Sequence, residues 1–281
     1  MNANNVNLPS NGEQAKKAPI TEEVKKTTVM DVVYFVLPIL SICMLFALWV
    51  YVAKTHPNLF PGPVATWERF VKLLQKPIMR VSFGGHILAS LKRVVIALLF
   101  AWTIGISFGV LIGWNKKMDS FFGSIFSIIR PVPPIAWIPL ITICFGIGEV
   151  PKILIVFIGA VMPVVINTHD GLKNVQKLYL DVGEVFNANK RQMLTQIAIP
   201  AAYPSIFAGI RTSTSTAWMV VLAAEMLGAN KGIGFLVVRG MDTSDLPLIL
   251  VAMIAIGVIG ALLAVITELI ERRLCPWASK K

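Results

Sequence analysis

The chain has 281 residues, of which 56% are apolar and only 15% charged, and its formal net charge is +11. A soluble domain carries about 25% charged residues, so a water-soluble globule is excluded, and with it the nucleic-acid binding that so basic a soluble chain would suggest. In a membrane protein the positive residues have an ordinary place, flanking helices on the cytoplasmic side.

Uncharged runs cover 32–53, 94–115, 131–148, 153–169, 192–210 and 246–267. A spanning helix needs ~20 mostly apolar residues. The composition therefore predicts an all-α, polytopic membrane bundle of about six transmembrane helices, near 32–53, 88–113, 121–146, 152–169, 199–225 and 246–268. A single membrane domain is expected over 31–275. Residues 1–30, polar and without a sustained apolar face, read as a disordered cytoplasmic tail, and 276–281 as a short C-terminal tail. The first apolar run is too long and too far from the start for a signal-peptide core, so it reads as a retained anchor. With both ends inside, Lys and Arg number fourteen in inside segments and eight in outside ones, which favours that orientation.

In chain order, the first outside loop holds "PGPVATWERFVKLLQ". Val64, Trp67, Phe70, Val71 and Leu74 recur at helical spacing opposite Glu68, Arg69 and Lys72. This predicts a short amphipathic helix resting on lipid or on the bundle, or seating an external partner. The second helix carries Ala101, Gly105, Gly109 and Gly113, four apart, a face that lets another helix approach closely. Whether that helix lies in the same chain or in a second copy stays open.

The third helix contains "RPVPPIAWIPL". Its four prolines deny donors to the helix, and irregular backbone at membrane depth survives only beside protein or a water-filled cavity. Arg130 at its start needs water, a partner or an anion.

The longest inside loop, 170–199, has Val175, Leu178, Val182, Val185 and Phe186 on one helical face. Asn187 fits a helix stop, because Asn tolerates the left-handed conformation. A second amphipathic piece with Met193, Leu194 and Ile197 follows, ended by Pro200. The polar faces, with Lys177, Asp181, Glu184, Lys190 and Arg191, are expected to meet water or a cytoplasmic protein.

In the fifth helix Arg211, Ser215, Trp218, Leu222 and Glu225 form one stripe, with Thr212, Ser213, Thr214 and Thr216 beside it. A membrane Arg is costly and faces the interior; its planar fork suits oxyanions, or it forms a structural salt bridge, for which Glu225 of another subunit is a candidate. Cys43, Cys144 and Cys275 read as small apolar fillers. His56, His86 and His169 are isolated, and no metal spacing emerges. No G-x-x-x-x-G-K-[ST] phosphate loop occurs; "GANKGIG" at 228–234 reads as a turn.

The 170–199 loop resembles the cytoplasmic loop of bacterial ATP-binding-cassette importer permeases. Asp181, Val182 and Gly183 stand for that family's Glu-Ala-Ala, Asn187 for its Gly, and Ile197 to Pro200 for its closing Ile-x-Leu-Pro. The resemblance runs over roughly 30–277. It is closest to the nitrate/sulfonate/taurine branch, through "RPVPPIAWIPL", "FGIGEVPKI", "IPAAYPSIFAGIR", "AWMVVLAAEMLGANKGIGFLV" and "ERRLCPW".

It implies a type I importer permease fold, methionine/maltose-like, in the bacterial inner membrane. It further implies a pairing of two permease copies, separate cytoplasmic ATPase subunits that carry the ATP chemistry, and an extracytoplasmic substrate-binding protein. Asp181, Val182, Gly183, Val185, Phe186, Asn187, Ala188 and Pro200 would then couple to the ATPase, while Arg130, Arg211, Ser215, Trp218 and Glu225 would line a path for small anions. The chain itself is not expected to be an enzyme or to hold a cofactor or metal. An ion-coupled secondary transporter is the alternative; it would usually show an internal repeat and midplane acids, and neither is seen.

Overall fold

A computed structural model describes residues 29–57 and 59–275. All but the last two residues of the tail expected over 1–30, and the tail at 276–281, lie outside the described residues. Among these, regular structure is helical; an isolated bridge between Ile78 and Val81 is the sole β-type pairing. The chain divides into two compact units, 1–49 and 50–281. The described part of the first is the beginning of α1 (Val29–Thr55), an apolar helix with Pro38 inside it.

The second unit holds the end of α1 and the remaining helices. These are α2 (Pro63–Gln75), α3 (Phe83–Trp114), α4 (Lys116–Ile129), α5 (Ile138–Phe145), α6 (Glu149–Lys173) and α7 (Lys177–Val185), followed by α8 (Lys190–Gln192), α9 (Ile199–Met226), α10 (Ile233–Asp242) and α11 (Leu246–Leu274). Across the chain five described segments are long and apolar enough to cross a membrane: Val36–Thr55, Phe83–Trp114, Glu149–Lys173, Lys190–Met226 and Leu246–Leu274.

The third expected span, 121–146, is broken. α4 ends at Ile129, a 3-10 turn covers Pro134–Trp137, and α5 follows. The prolines set the break: Pro134 and Pro139 stand in the first turns of their elements, where no intrahelical N–H is needed. Pro200 does the opposite of what was expected. It does not end the helix from 190; a wide π turn over Met193–Ala198 precedes it and the helix runs on into α9. The wider turn absorbs the missing donor that would interrupt a regular α-helix.

α6 is the central helix, packed along its length between α3 and α9. The small-residue stripe explains one side of this. A Cβ on Gly105 would meet Val164 at 3.0 Å, one on Gly109 would meet Thr168 at 2.6 Å, and one on Gly113 would meet the His169 backbone at 3.0 Å. The partner of the stripe is therefore α6 of the same chain. Gly209 of α9 closes the other side, with Asn167 2.8 Å from where its Cβ would be. Around this trio Val94, Ala97, Val156, Ala160, Val221 and Ala224 form a continuous core.

One local expectation is narrowed and another changes. α2 turns Thr66 and Leu73 inward, with Phe70 partly covered, while Val64, Trp67 and Leu74 of the anticipated contact face are exposed. Leu73 and Thr66 are buried against the bundle and, on the same side, Arg69 reaches Asp245 at 2.6 Å, so the apolar stripe lies away from it. Of the cysteines, Cys275 is buried but Cys43 and Cys144 are exposed, so neither of these fills a core.

Candidate functional site

The 170–199 loop is ordered by local chemistry. α7 ends in a Schellman motif: the Ala188 N–H donates to Gly183 O (3.0 Å) and the Asn187 N–H to Glu184 O (2.9 Å). Asn187 is the left-handed residue this motif requires, with φ of 53°. Two residues on, a capping box starts the next helix, the Asn189 side chain accepting from the Gln192 N–H and the Gln192 side chain from the Asn189 N–H, both at 2.9 Å. The two helices then close on each other at Gly183, where a Cβ would collide with the Met193 sulfur and with Ile197.

This packing uses the glycine side of α7. Leu178, Val182, Val185 and Phe186 remain exposed, the last two at 78% and 80%. Asp181, Glu184 and Asn187 are exposed as well, and Ala188 is half-buried. The anticipated coupling residues thus form one braced helix–turn–helix with an uncovered apolar face, and Pro200 lies beyond the π turn at the start of α9.

The stripe expected along α9 does not form one wall. Glu225 is buried at the opposite end of the bundle from the loop. Its carboxylate accepts from Arg93 Nη1 (2.5 Å), Ser90 Oγ (2.9 Å) and the Gly234 N–H (3.0 Å). Arg93 also grips Glu149 in a two-pronged contact at 2.7 Å and donates to Lys231 O at 3.0 Å. The Ile233 N–H donates to Ser90 Oγ and the Gly232 N–H to His86 Nδ1. A Cβ on Gly234 would stand 2.5 Å from Leu222 O. Gly232 and Gly234 of "GANKGIG" therefore leave room for the backbone to cradle a buried carboxylate, whereas Gly228 lies against Ile147.

Trp218 is buried too, its indole donating to Ile256 O at 3.1 Å. Arg211 pairs with Glu271 of α11 rather than with Glu225. Ser215 and Trp218 together line a hollow of about 160 Å³ with Gly260 and Leu263, apart from the one that Arg130 lines with Thr212 and Thr216.

Arg130, exposed at the end of α4, lines two hollows. One, of about 290 Å³, is walled by Pro134 and Trp137 of the broken segment, Met162 and Asn167 of α6, and Thr212 and Thr216 of α9. The break predicted from the prolines thus borders a cavity, as irregular backbone at membrane depth must. The second, of about 300 Å³, contains Asp119, His169, Asp170 and Lys173. Asp119 sits 2.9 Å from both His169 Nε2 and Lys173 Nζ. The Lys173 hydrogen bond first, and then that of His169, hold its carboxyl below the usual aspartate range.

Of the five anticipated path residues, one, Arg130, lines the proline-bordered hollow. Nothing in the sequence marks Trp137, Met162 and Asn167 as lining it, and Thr212 and Thr216 read from the sequence only as hydroxyls beside the stripe. Four prolines in nine residues were the signal that a cavity lay here; what faced it across the bundle had none. No group of three or more His, Cys, Asp or Glu side chains among the described residues is arranged to hold a metal.

The structure thus joins a braced helix–turn–helix with an uncovered apolar face, a bundle centred on α6, and a broken segment opening on a hollow lined by Arg130, Asn167, Thr212 and Thr216. Comparison with known proteins assigns the chain to a family. Residues 103–280 match the family of binding-protein-dependent transport system inner membrane components. The nitrate import permease protein NrtB of Synechocystis is 33% identical over 86% of this chain and 90% of its own length. The taurine transport system permease protein TauC of Escherichia coli is 31% identical over 84% of this chain and 88% of its own.

The fold is that of a solved inward-facing MetNI methionine ABC transporter chain, with a TM-score of 0.59 at 18% identity, covering 73% of this chain and 98% of that one. The expected type I permease fold is therefore the observed one. With its multiple apolar spans, the chain belongs to the binding-protein-dependent transport system inner membrane components, as a multi-pass permease subunit of the branch that includes nitrate and taurine importers.

Proposed function

We propose that this chain is the pore-forming subunit of an ATP-driven importer of small anions, sulfonates such as taurine or nitrate-like ions. Two copies form the pore, an extracytoplasmic binding protein delivers the substrate, and separate cytoplasmic ATPase subunits drive the cycle. Both ends of the chain lie in the cytoplasm, on the side of the 170–199 loop. The uncovered face of Leu178, Val182, Val185 and Phe186 on α7 carries this reading. A short helix braced by a Schellman motif, a capping box and a glycine contact, yet showing its apolar face outward, is built to dock in a groove of another protein. The anion preference is supported by the named substrates of the two relatives and by Arg130 beside Asn167, Thr212 and Thr216 in one hollow, since a guanidinium fork pairs well with planar and tetrahedral oxyanions.

Val185→Asp with Phe186→Asp tests the docking face. Coexpressed with the ATPase, the double variant is expected to reach the membrane at the normal level but to lose copurification of the ATPase and all substrate-stimulated hydrolysis. Undiminished copurification and transport would show that α7 is not the docking helix. In proteoliposomes holding the whole assembly, labelled taurine and nitrate are each compared for uptake. Arg130→Gln is expected to lower uptake of the preferred anion while basal ATP hydrolysis persists; unchanged uptake removes Arg130 from the path.

A further inference from the structure

α2 meets three surroundings at once. Its inward third, Thr66, Phe70 and Leu73, packs on the bundle, with Phe70 edge-on to Phe83 of α3 at 5.6 Å between ring centres. A second third carries Glu68, Lys72 and Gln75, all exposed. The remaining third carries Val64, Trp67 and Leu74, which are 72%, 65% and 57% exposed. At 100° per residue these apolar positions centre about 105° from the packed third and about 95° from the polar one, with Val64 at the border of the polar third. A helix lying in water against a protein has two faces, one packed and one polar. A third, apolar face calls for a third medium.

The height of α2 in the fold identifies that medium. Arg69 bonds Asp245, which caps the N-terminus of α11 one residue before that span begins. Phe83, against which Phe70 packs, is the first residue of the span in α3. α2 is therefore pinned beside the first residues of two membrane-length helices, and the ends of such helices lie near the level at which tryptophan and apolar side chains settle among headgroups.

We propose that α2 is an interfacial membrane helix whose Val64–Trp67–Leu74 face is inserted in the lipid headgroup–acyl boundary beside the bundle, with Glu68 and Lys72 turned to water. The Arg69–Asp245 bond fixes its roll, so that α2 sets the depth at which α3 and α11 sit.

The test is a set of single nitroxide labels on the full-length protein in phosphatidylcholine–phosphatidylglycerol vesicles. Labels go at Val64→Cys, Leu74→Cys, Glu68→Cys and Lys72→Cys, in a background where Cys43, Cys144 and Cys275 are replaced by alanine. All four positions are exposed, so folding is expected to survive, and a monodisperse elution profile selects the samples. Collision with dissolved oxygen is expected to exceed collision with a water-soluble nickel chelate several-fold at 64 and 74, and the order is expected to invert at 68 and 72. Nickel accessibility at 64 and 74 matching that at 68 and 72 would overturn the proposal and show the face open to water, as a seat for a soluble partner. Low accessibility to both reagents, with dipolar broadening between labels, would overturn it in favour of a second copy of this chain. Arg69→Ala is expected to blur the contrast between the two pairs of positions; an unchanged contrast removes Arg69 from control of the roll.

Discussion

Replacing Arg93 by leucine is the most telling perturbation of the fold. The Glu225 side chain is fully shielded and that of Arg93 is 2% exposed. Without the guanidinium, Glu225 keeps its bonds from Ser90 Oγ and the Gly234 N–H, but its charge has no counter-ion in contact. Removing one partner of a buried pair costs about 3–5 kcal/mol, because the survivor is left charged and dry. For a protein of this size that corresponds to a fall of about 6–20 °C in apparent midpoint. The assay is the fraction of purified, detergent-solubilised protein that stays monodisperse after heating, followed by size-exclusion chromatography. Adding Glu225→Gln to Arg93→Leu removes the stranded charge while keeping an acceptor for Ser90 and Gly234, so the double variant is expected to recover most of the loss. Glu225→Gln alone is expected to cost less than Arg93→Leu, since Arg93 keeps both bonds to the half-exposed Glu149. A single Arg93→Leu variant as stable as the parent, or a double variant no better than it, would show that charge burial is not what holds this end of the bundle together.

Gly109→Val drives two methyl groups and a Cβ into the Thr168 contact; a loss of about 1–3 kcal/mol is expected from overpacking, read as lower thermal stability with transport impaired. Asn187→Gly is expected to leave coupling intact and Asn187→Val to weaken it, because a β-branched residue at φ of 53° is strained; equal ATPase stimulation in the two would refute the need for a left-handed turn. The depressed Asp119 pKa gives the tie between α4 and α6 an acid limit. A group lowered in the folded state stabilises fully above its unfolded value near pH 4 and loses that contribution as pH falls through its folded value. The acid dependence of midpoint below about pH 4 is accordingly expected to flatten in Asp119→Asn, and an unchanged profile would place the acid sensitivity elsewhere.

Much was legible in the chain because it was local. Long uncharged runs in α3, α6, α9 and α11 place spans, since a bilayer demands length and apolarity from each segment separately. Asn187 announces its turn because left-handed backbone is a property of one residue and its neighbours. The prolines from Pro131 to Pro139 announce a break for the same reason, although the split of that segment into α4, a 3-10 turn and α5 was read as one helix. α10 left no clear mark, being ten residues beside a glycine-rich turn.

Side-chain partnership was another matter. Arg211, Ser215, Trp218 and Glu225 share a stripe of α9, yet they meet different neighbours: Arg211 pairs with Glu271 of α11, Ser215 and Trp218 line the hollow beside Gly260 with the Trp218 indole on Ile256 O, and Glu225 is held by Arg93 of α3. A helical stripe states which residues point the same way at different heights. Which element lies opposite at each height is settled by how α3, α6, α9 and α11 pack. The same holds for α2, where Val64, Trp67 and Leu74 identify an apolar stripe, but the burial of Thr66 and Leu73 and the bond from Arg69 to Asp245, 176 positions away in the chain, place the opposite side on the bundle.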